Sequence, residues 1–456
     1  MDCSPAWNFL MSAPFVPQIK IKPSLSFDGM VGAIRQVAHT FRDSRTGNNT
    51  QYTMEDFVLS AFSIFYLQCP SFLSYQQAME SGQGNNNART LFGIDKIPAD
   101  NQTRLILDQT SPEALFPVFN KLFEGFQEAG LLEGFRGGHC QDLLIAFDGL
   151  EHHSSSTIHC QQCKTKQHKS GTVTYSHGMV TAVLVKPGLP FVIDLPPEFI
   201  VPQDGHDKQD CENAAAKRWL KQQAARYAEY GVTVLGDDLY SRQPLCEAVL
   251  QAKFHFIFTC LPDSHKTLYE YIEGLKKTEL LETVEIKRWT GKQREIDRYY
   301  YVNQVPLRDG EDALSVNWCE LTTVDTTGRV IYHNSFITDH VIKQSNIAAI
   351  VEDGRTRWKT ENENNNTLKR HGYHLDHNFG HGKNNLCNVL ATLNMLAFLC
   401  HTLLAMTSEA YQKIRAKLGA RKKFFEHLRT LTHYILFASW DALLYFMMDK
   451  LKLNTS

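Results

Sequence analysis

The chain has 456 residues, enough for two or three domains, each with its own core. Its 43% hydrophobic and 21% charged residues are those of an ordinary soluble globular protein. A net charge of −2 excludes a global basic field, so any contact with a polyanion must come from local patches.

Residues 1–140 read as a helical N-terminal domain. Apolar periodicity predicts helices from Phe57 to Leu67 and from Leu115 to Leu132, with the Gly/Asn-rich loop Ser81–Asn87 between them. A short helix is expected after Pro98, capped by Asp100 and carrying Gln102, Arg104 and Leu105; such a helix fits a DNA groove or the polar face of a bundle. From Gln141 the texture changes to strands: Leu143–Asp148, Tyr175–Val185 and Pro190–Ile200, the last two joined by the turn Lys186-Pro187-Gly188. A helix over 208–230 turns Trp219 and Leu220 inward and stops at Gly231. Strand Val232–Leu235, helix Gln243–Ala252 and strand Phe254–Leu261 complete the running order of an RNase H-like mixed sheet flanked by helices. That core is expected in two parts, 141–275 and 346–385. Between them, residues 276–345 alternate β-formers and read as a separate β-rich insertion. Residues 386–456 form a helical C-terminal region. The apolar run Leu386–Met406 has membrane-spanning length, but Asn388, Thr392, Asn394 and His401 within it predict a buried helix and no membrane partner.

Three carboxylates stand out. Asp148 and Asp237 each close a short apolar run, and Glu361 lies in the polar, helix-patterned segment Arg357–Lys369. Neighbouring strand ends hold two carboxylates at a fixed separation, and a helix packed on the sheet brings a third, which is how hard divalent cations are held for phosphodiester cleavage. Spacing alone leaves Asp238 as an alternative to Asp237, and Glu363 as an alternative to Glu361.

Several motifs resemble the DDE transposases of bacterial insertion sequences, the group with a β-rich insertion before the catalytic glutamate. Phe147-Asp148-Gly149 resembles their first-aspartate motif, Asp-Gly-Thr, with Leu150 in place of the threonine. Asp237-Asp238-Leu239-Tyr240 fits Asp-x-x-Tyr/Phe and selects Asp237; Arg357-Trp358-Lys359-Thr360-Glu361 fits Arg-Trp-x-x-Glu and selects Glu361. The match extends over Lys208–Glu212 and His371–Gly382. Two positions depart from the family signature: Gly354 stands at its tyrosine, and Leu368 at its lysine with Lys369 one place late. The resemblance implies that Asp148, Asp237 and Glu361 hold two Mg²⁺, with Mn²⁺ as a substitute. It also implies double-stranded DNA partners (element ends and target), a homodimer on DNA, and a phosphate clamp at Arg357 with Lys369 beside it. A bacterial, nucleoid-associated protein is expected; the alternative is an inactive or domesticated copy that still binds DNA ends.

Eleven scattered cysteines, with no secretory signal at Met1-Asp2-Cys3-Ser4, point to a reducing, cytoplasmic compartment. Cys160-Gln161-Gln162-Cys163 has the spacing of two thiolate ligands of a structural Zn²⁺, and His168 and His177 are near enough in sequence to complete it. Two basic clusters supply local positive charge. One, inside the insertion, comprises Lys287, Arg288, Trp289, Lys292, Arg294 and Arg298, and the resemblance implies that it lies along DNA. The other runs from Lys413 to Arg429 and reads equally as a solvated helix face.

Overall fold

The computed structural model describes residues 22–46, 50–137, 139, 141–202 and 210–453. Its organising element is one mixed sheet. Eleven strands belong to it: β1 Leu143–Ser155, β2 Lys164–Gln167, β3 Val173–Val185, β4 Ile193–Asp194, β5 Glu198–Ile200, β6 Val232–Gly236, β7 His255–Thr259, β8 Glu282–Trp289, β9 Arg294–Pro306, β10 Ser315–Val324 and β11 Val330–Thr338. They lie in the order β2-β3-β1-β6-β7-β11-β10-β9-β8, with β4 and β5 also paired to β3. β1 is antiparallel to β3 and parallel to β6, and β6 is parallel to β7. The first half of β1 and all of β6 are buried, so β1 begins as a continuous apolar run and β6 is apolar but for Thr233, as strands covered on both faces require. The expected α/β class, a mixed sheet flanked by helices, is the one observed.

Several boundaries differ for identifiable reasons. β1 does not stop at Asp148 but continues to Ser155, because the equally long β3 offers it an antiparallel partner throughout. The expected strand Pro190–Ile200 is cut into β4 and β5 by Pro196 and Pro197, neither of which can donate to a ladder. The start of the expected 208–230 helix, at Lys208 and Gln209, lies outside the described residues; the observed helix is Glu212–Tyr227, with Trp219 and Leu220 buried. Asp100 is the first residue of helix Asp100–Leu107, not its cap, and forms an ion pair with Arg104 one turn on. Residues 276–345 are not a separate β unit. β11 pairs antiparallel with β7, so β8 to β11 extend the central sheet.

The two helical ends of the chain share one core. Asn87 Nδ2 donates to the carbonyls of Thr432 (2.6 Å) and Ile435 (2.7 Å), and Asn87 Oδ1 accepts from Phe437 N (3.0 Å). Phe27 stacks on Trp440. The long apolar helix Leu386–Thr407 lies inside this layer, and its polar residues find protein partners. Asn388 Oδ1 is 3.1 Å from His152 Nε2, Asn394 Nδ2 donates to Tyr373 O, and His401 lies between Tyr66 O and Tyr411 OH. It is a core helix.

Asp353, on helix Ile347–Arg355, is buried against the sheet. One oxygen accepts from His139 N at 2.9 Å and the other is buried without a partner. Burial pushes its pKa from 3.8 up to about 7. Its folded-state pKa is raised, so the associated stability is full below pH 3.8 and is lost as pH rises through 7. Asp353→Asn is therefore expected to match the parent near pH 4 and to exceed its stability by a few kcal/mol above pH 7, read from urea midpoints across that range. A constant difference at all pH values would contradict this.

Candidate active site

Three separate elements converge at one end of the core strands. In the parallel pair β1–β6, Ala146 is level with Leu235. Continuing that register two residues brings Asp148 level with Asp237, the first residue past β6, across a strand spacing of about 4.8 Å. The third element follows helix Ile347–Arg355: a turn, then one π-helical turn Thr360–Asn365, then helix Asn366–Arg370. Glu361 is exposed on the π turn, while Asn365 is buried and donates from Nδ2 to Asp148 Oδ2 at 2.7 Å. A π turn inside an α-helical run re-aims side chains, and such turns cluster at functional sites.

Electrostatics shows that these groups act on one another. Burial pushes the Asp148 pKa from 3.8 up to about 6; Arg357 opposes the rise, and Asp237, Glu361 and Glu212 add to it. The two alternatives in sequence differ in their surroundings. Asp238 accepts from Leu261 N at 2.7 Å and from Ser264 Oγ, which makes it a turn-fixing residue. Glu363 is not among the groups that shift Asp148 most. The donor atoms of Asp148, Asp237 and Glu361 do not all lie within 4.8 Å of one another.

No family model matches this chain, and no curated protein matches it. Among solved structures it is similar to the cryo-EM structure of a piggyBac transposase synaptic complex with hairpin DNA, at 11% identity and a TM-score of 0.38, over 96% of this chain and 84% of that one. A likeness that loose decides nothing about the site.

Sequence reasoning missed Glu212. It opens helix Glu212–Tyr227, and a Cβ on Gly149 would stand 2.3–2.5 Å from its carboxylate group, so it lies directly over the backbone next to Asp148. Burial and Asp237 both raise its pKa. The signal was present in the stretch Asp210-Cys211-Glu212, but no spacing ties that glutamate to the other three.

The basic residues are engaged to different degrees. On the β8–β9 hairpin Trp289 is opposite Arg294 and Lys287 opposite Ile296, so Lys287, Trp289, Arg294 and Arg298 share one face, with Trp289 65% exposed; Glu285 on that face pairs with Arg298 at 3.3 Å and lies 3.9 Å from Lys287 Nζ. Lys292 is exposed at the turn. Arg288 points to the other face, where it pairs with Glu295 and with Asp297 (2.7 Å); the expectation that it contacts DNA is corrected to a structural role. In the C-terminal run, Arg415 is half-buried over the Phe424 ring, and Arg429 donates to the carbonyls of Leu67 and Gln68. Lys369 is half-buried and close enough to His152 to lower that ring's pKa.

The expected zinc ligands are also only partly together. Cys160 Sγ, Cys163 Sγ and His177 Nε2 converge, and the fourth member is His381, which sequence spacing could not supply from over 200 residues away. His168 is corrected: its Nε2 bonds Thr174 Oγ1 at 2.8 Å across the β2–β3 hairpin.

Gly354, where the resembled transposases carry a tyrosine, is closely packed. A Cβ there would meet Ile257 at 2.8 Å and Phe336 at 2.9 Å, because the helix bearing it lies tightly on β7 and β11. Leu368, at the family's lysine position, is fully buried. Gly354→Ala is expected to cost about 1–3 kcal/mol of stability by overpacking, measured by chemical denaturation. A substitution that left the midpoint unchanged would show that this contact is loose.

Proposed function

We propose that this protein is a DNA transposase of insertion-sequence type, with an RNase H-like core. It cuts at element ends and joins the freed 3′-OH to target DNA. The observation that carries the reading is the convergence of Asp148, Asp237 and Glu361 from two strands and a helix-borne π turn, with Arg357 beside them.

The donor set suits hard divalent cations: all-oxygen, anionic and partly buried, with a mutual repulsion that Arg357 partly offsets. Asp148, Asp237 and Glu361 would hold Mg²⁺, or Mn²⁺ in its place. Such ions, when bound, activate the attacking oxygen and stabilise the leaving one in an in-line displacement. The chain's own residues supply positioning. Asn365 fixes the orientation of the Asp148 carboxylate, and the Asp237 carboxylate accepts from Leu239 N at 2.9 Å, which holds its turn. Arg357 offers a planar donor fork for a phosphate at the same place. Lys287, Trp289, Lys292 and Arg294 form an exposed basic face with an aromatic ring for the DNA backbone and an unpaired base. Two element ends joined in concert call for a homodimer on DNA.

With supercoiled plasmid carrying the gene and its flanking DNA, the purified protein is expected to make breaks at defined ends with Mg²⁺ and none with EDTA. Asp148→Asn, Asp237→Asn and Glu361→Gln should each abolish those breaks while retaining end binding. Binding without cleavage by the parent protein, under Mg²⁺ or Mn²⁺, would instead identify an inactive end-binding copy.

The interface reading has its own test. Lys287→Ala and Arg294→Ala should each reduce the slope of log affinity against log salt by about 0.9 without loss of stability. Arg288→Ala should instead destabilise the fold, because it removes the cation paired with the buried Glu295 and Asp297. Equal salt slopes for all variants would remove this hairpin from the interface.

A further inference from the structure

Behind the carboxylates, at the far end of the β1–β3 hairpin, four ligating side chains point at one spot. Cys160 Sγ and Cys163 Sγ are 3.9 Å apart; His177 Nε2 is 3.3 Å from each sulfur, and His381 Nε2 is 3.4 Å from Cys163 Sγ and 3.2 Å from His177 Nε2. Zinc bonds of roughly 2.3 Å to sulfur and 2.0–2.1 Å to nitrogen, at tetrahedral angles, place ligand atoms about 3.3–3.8 Å apart. The observed separations bracket that range. The sulfurs are far beyond the roughly 2.05 Å of a disulfide.

We propose that Cys160, Cys163, His177 and His381 bind one structural Zn²⁺. Two thiolates and two neutral imidazoles around a divalent cation carry no net charge, which suits a site where Cys163, His177 and His381 are buried. The ring tautomer of His381 fits as well: its Nδ1 donates to Gly382 O at 2.9 Å, leaving the Nε2 lone pair for the metal. The two Nε2 atoms face each other at 3.2 Å, and each is within 3.4 Å of a sulfur, the convergence of four lone-pair donors that a single cation would hold. An overlapping group, His152, His177 and Cys387, shares only His177 and lacks a fourth donor. His152 is already bonded to Asn388, so that group is left outside the metal shell.

The ion would act as a clasp. It ties the loop after β1 and the strand β3 to the segment that enters helix Leu386–Thr407, joining parts of the chain more than 200 residues apart. The proposal is independent of nuclease activity.

The test uses the full chain purified without chelator, its metal content measured by mass spectrometry. One zinc per chain is expected, dropping to near zero in Cys163→Ser and in His381→Ala, while His168→Ala and Cys387→Ser retain it. Should the ligand variants fail to fold, cobalt replacement in the parent protein supplies the readout: thiolate-to-cobalt charge transfer and the intense d–d bands of a tetrahedral S₂N₂ site. Octahedral cobalt bands, metal retained in both ligand variants, or a metal-free parent whose two thiols oxidise to a disulfide would each overturn the assignment.

Discussion

The parallel register of β1 on β6 is the constraint on which the rest depends. It sets Ala146 level with Leu235, and everything about the first two carboxylates follows from continuing that register by two residues. A slip of one residue would turn every β1 side chain to the opposite face, with Phe147 in the place of Asp148 and the acid in the core. The register is held from both sides. Leu143 to Phe147 are apolar and buried, Val232 to Leu235 are buried and apolar but for Thr233, and the antiparallel partner β3 extends β1 well past the point where β6 ends. Asp148 therefore occupies a half-open position: paired on one side by Thr181, which donates to its carbonyl, and open on the other where β6 has stopped.

The helical layer supports that sheet through buried polar contacts as much as through apolar packing. Asp108, from the N-terminal helices, accepts from the backbone nitrogens of Lys383, Asn384, Asn385 and Leu386, and so caps the core helix across 275 residues of sequence. His401, on the same helix, stacks on Tyr66 at 4.0 Å. Burial holds the His401 ring neutral, with its pKa pushed down to about 3, so it acts as a fixed hydrogen-bonding group rather than a charge. Such contacts explain why the two ends of the chain, which look like separate helical regions in sequence, share one core.

What the sequence made legible was short-range. The apolar runs before Asp148 and Asp237 and the Asp-x-x-Tyr and Arg-Trp-x-x-Glu motifs single out residues that the fold brings together. Cys-x-x-Cys is likewise a local signal. Not legible were the partners set by tertiary contact: Glu212 over Gly149, Asn365 on Asp148 and His381 beside Cys163. No periodicity or spacing encodes a contact between residues 163 and 381. Arg288 shows the complementary error. A basic cluster reads as one patch in sequence, but the two-residue period of a strand divides it between two faces, and one of those faces is acidic.

The segment carrying Glu361 needs more than the sheet to fix it, because it enters from a helix that the strands do not pair with. Two attachments supply that. Near the site, Asn365 bonds Asp148 directly. Further along, Leu375 N donates to Leu368 O, and the chain then reaches His381 against Cys163 and His177. His177 is opposite His153 on the β1–β3 hairpin, five residues beyond Asp148, roughly 17 Å along the strand. The same two strands are thus held to the same returning segment at both places. Two attachments to one hairpin restrict how the segment can move against it, so the third carboxylate is tied to the first through β1. The π turn adds the remaining adjustment, putting Asn365 inward on the aspartate while Glu361 stays open to solvent and to whatever the site receives.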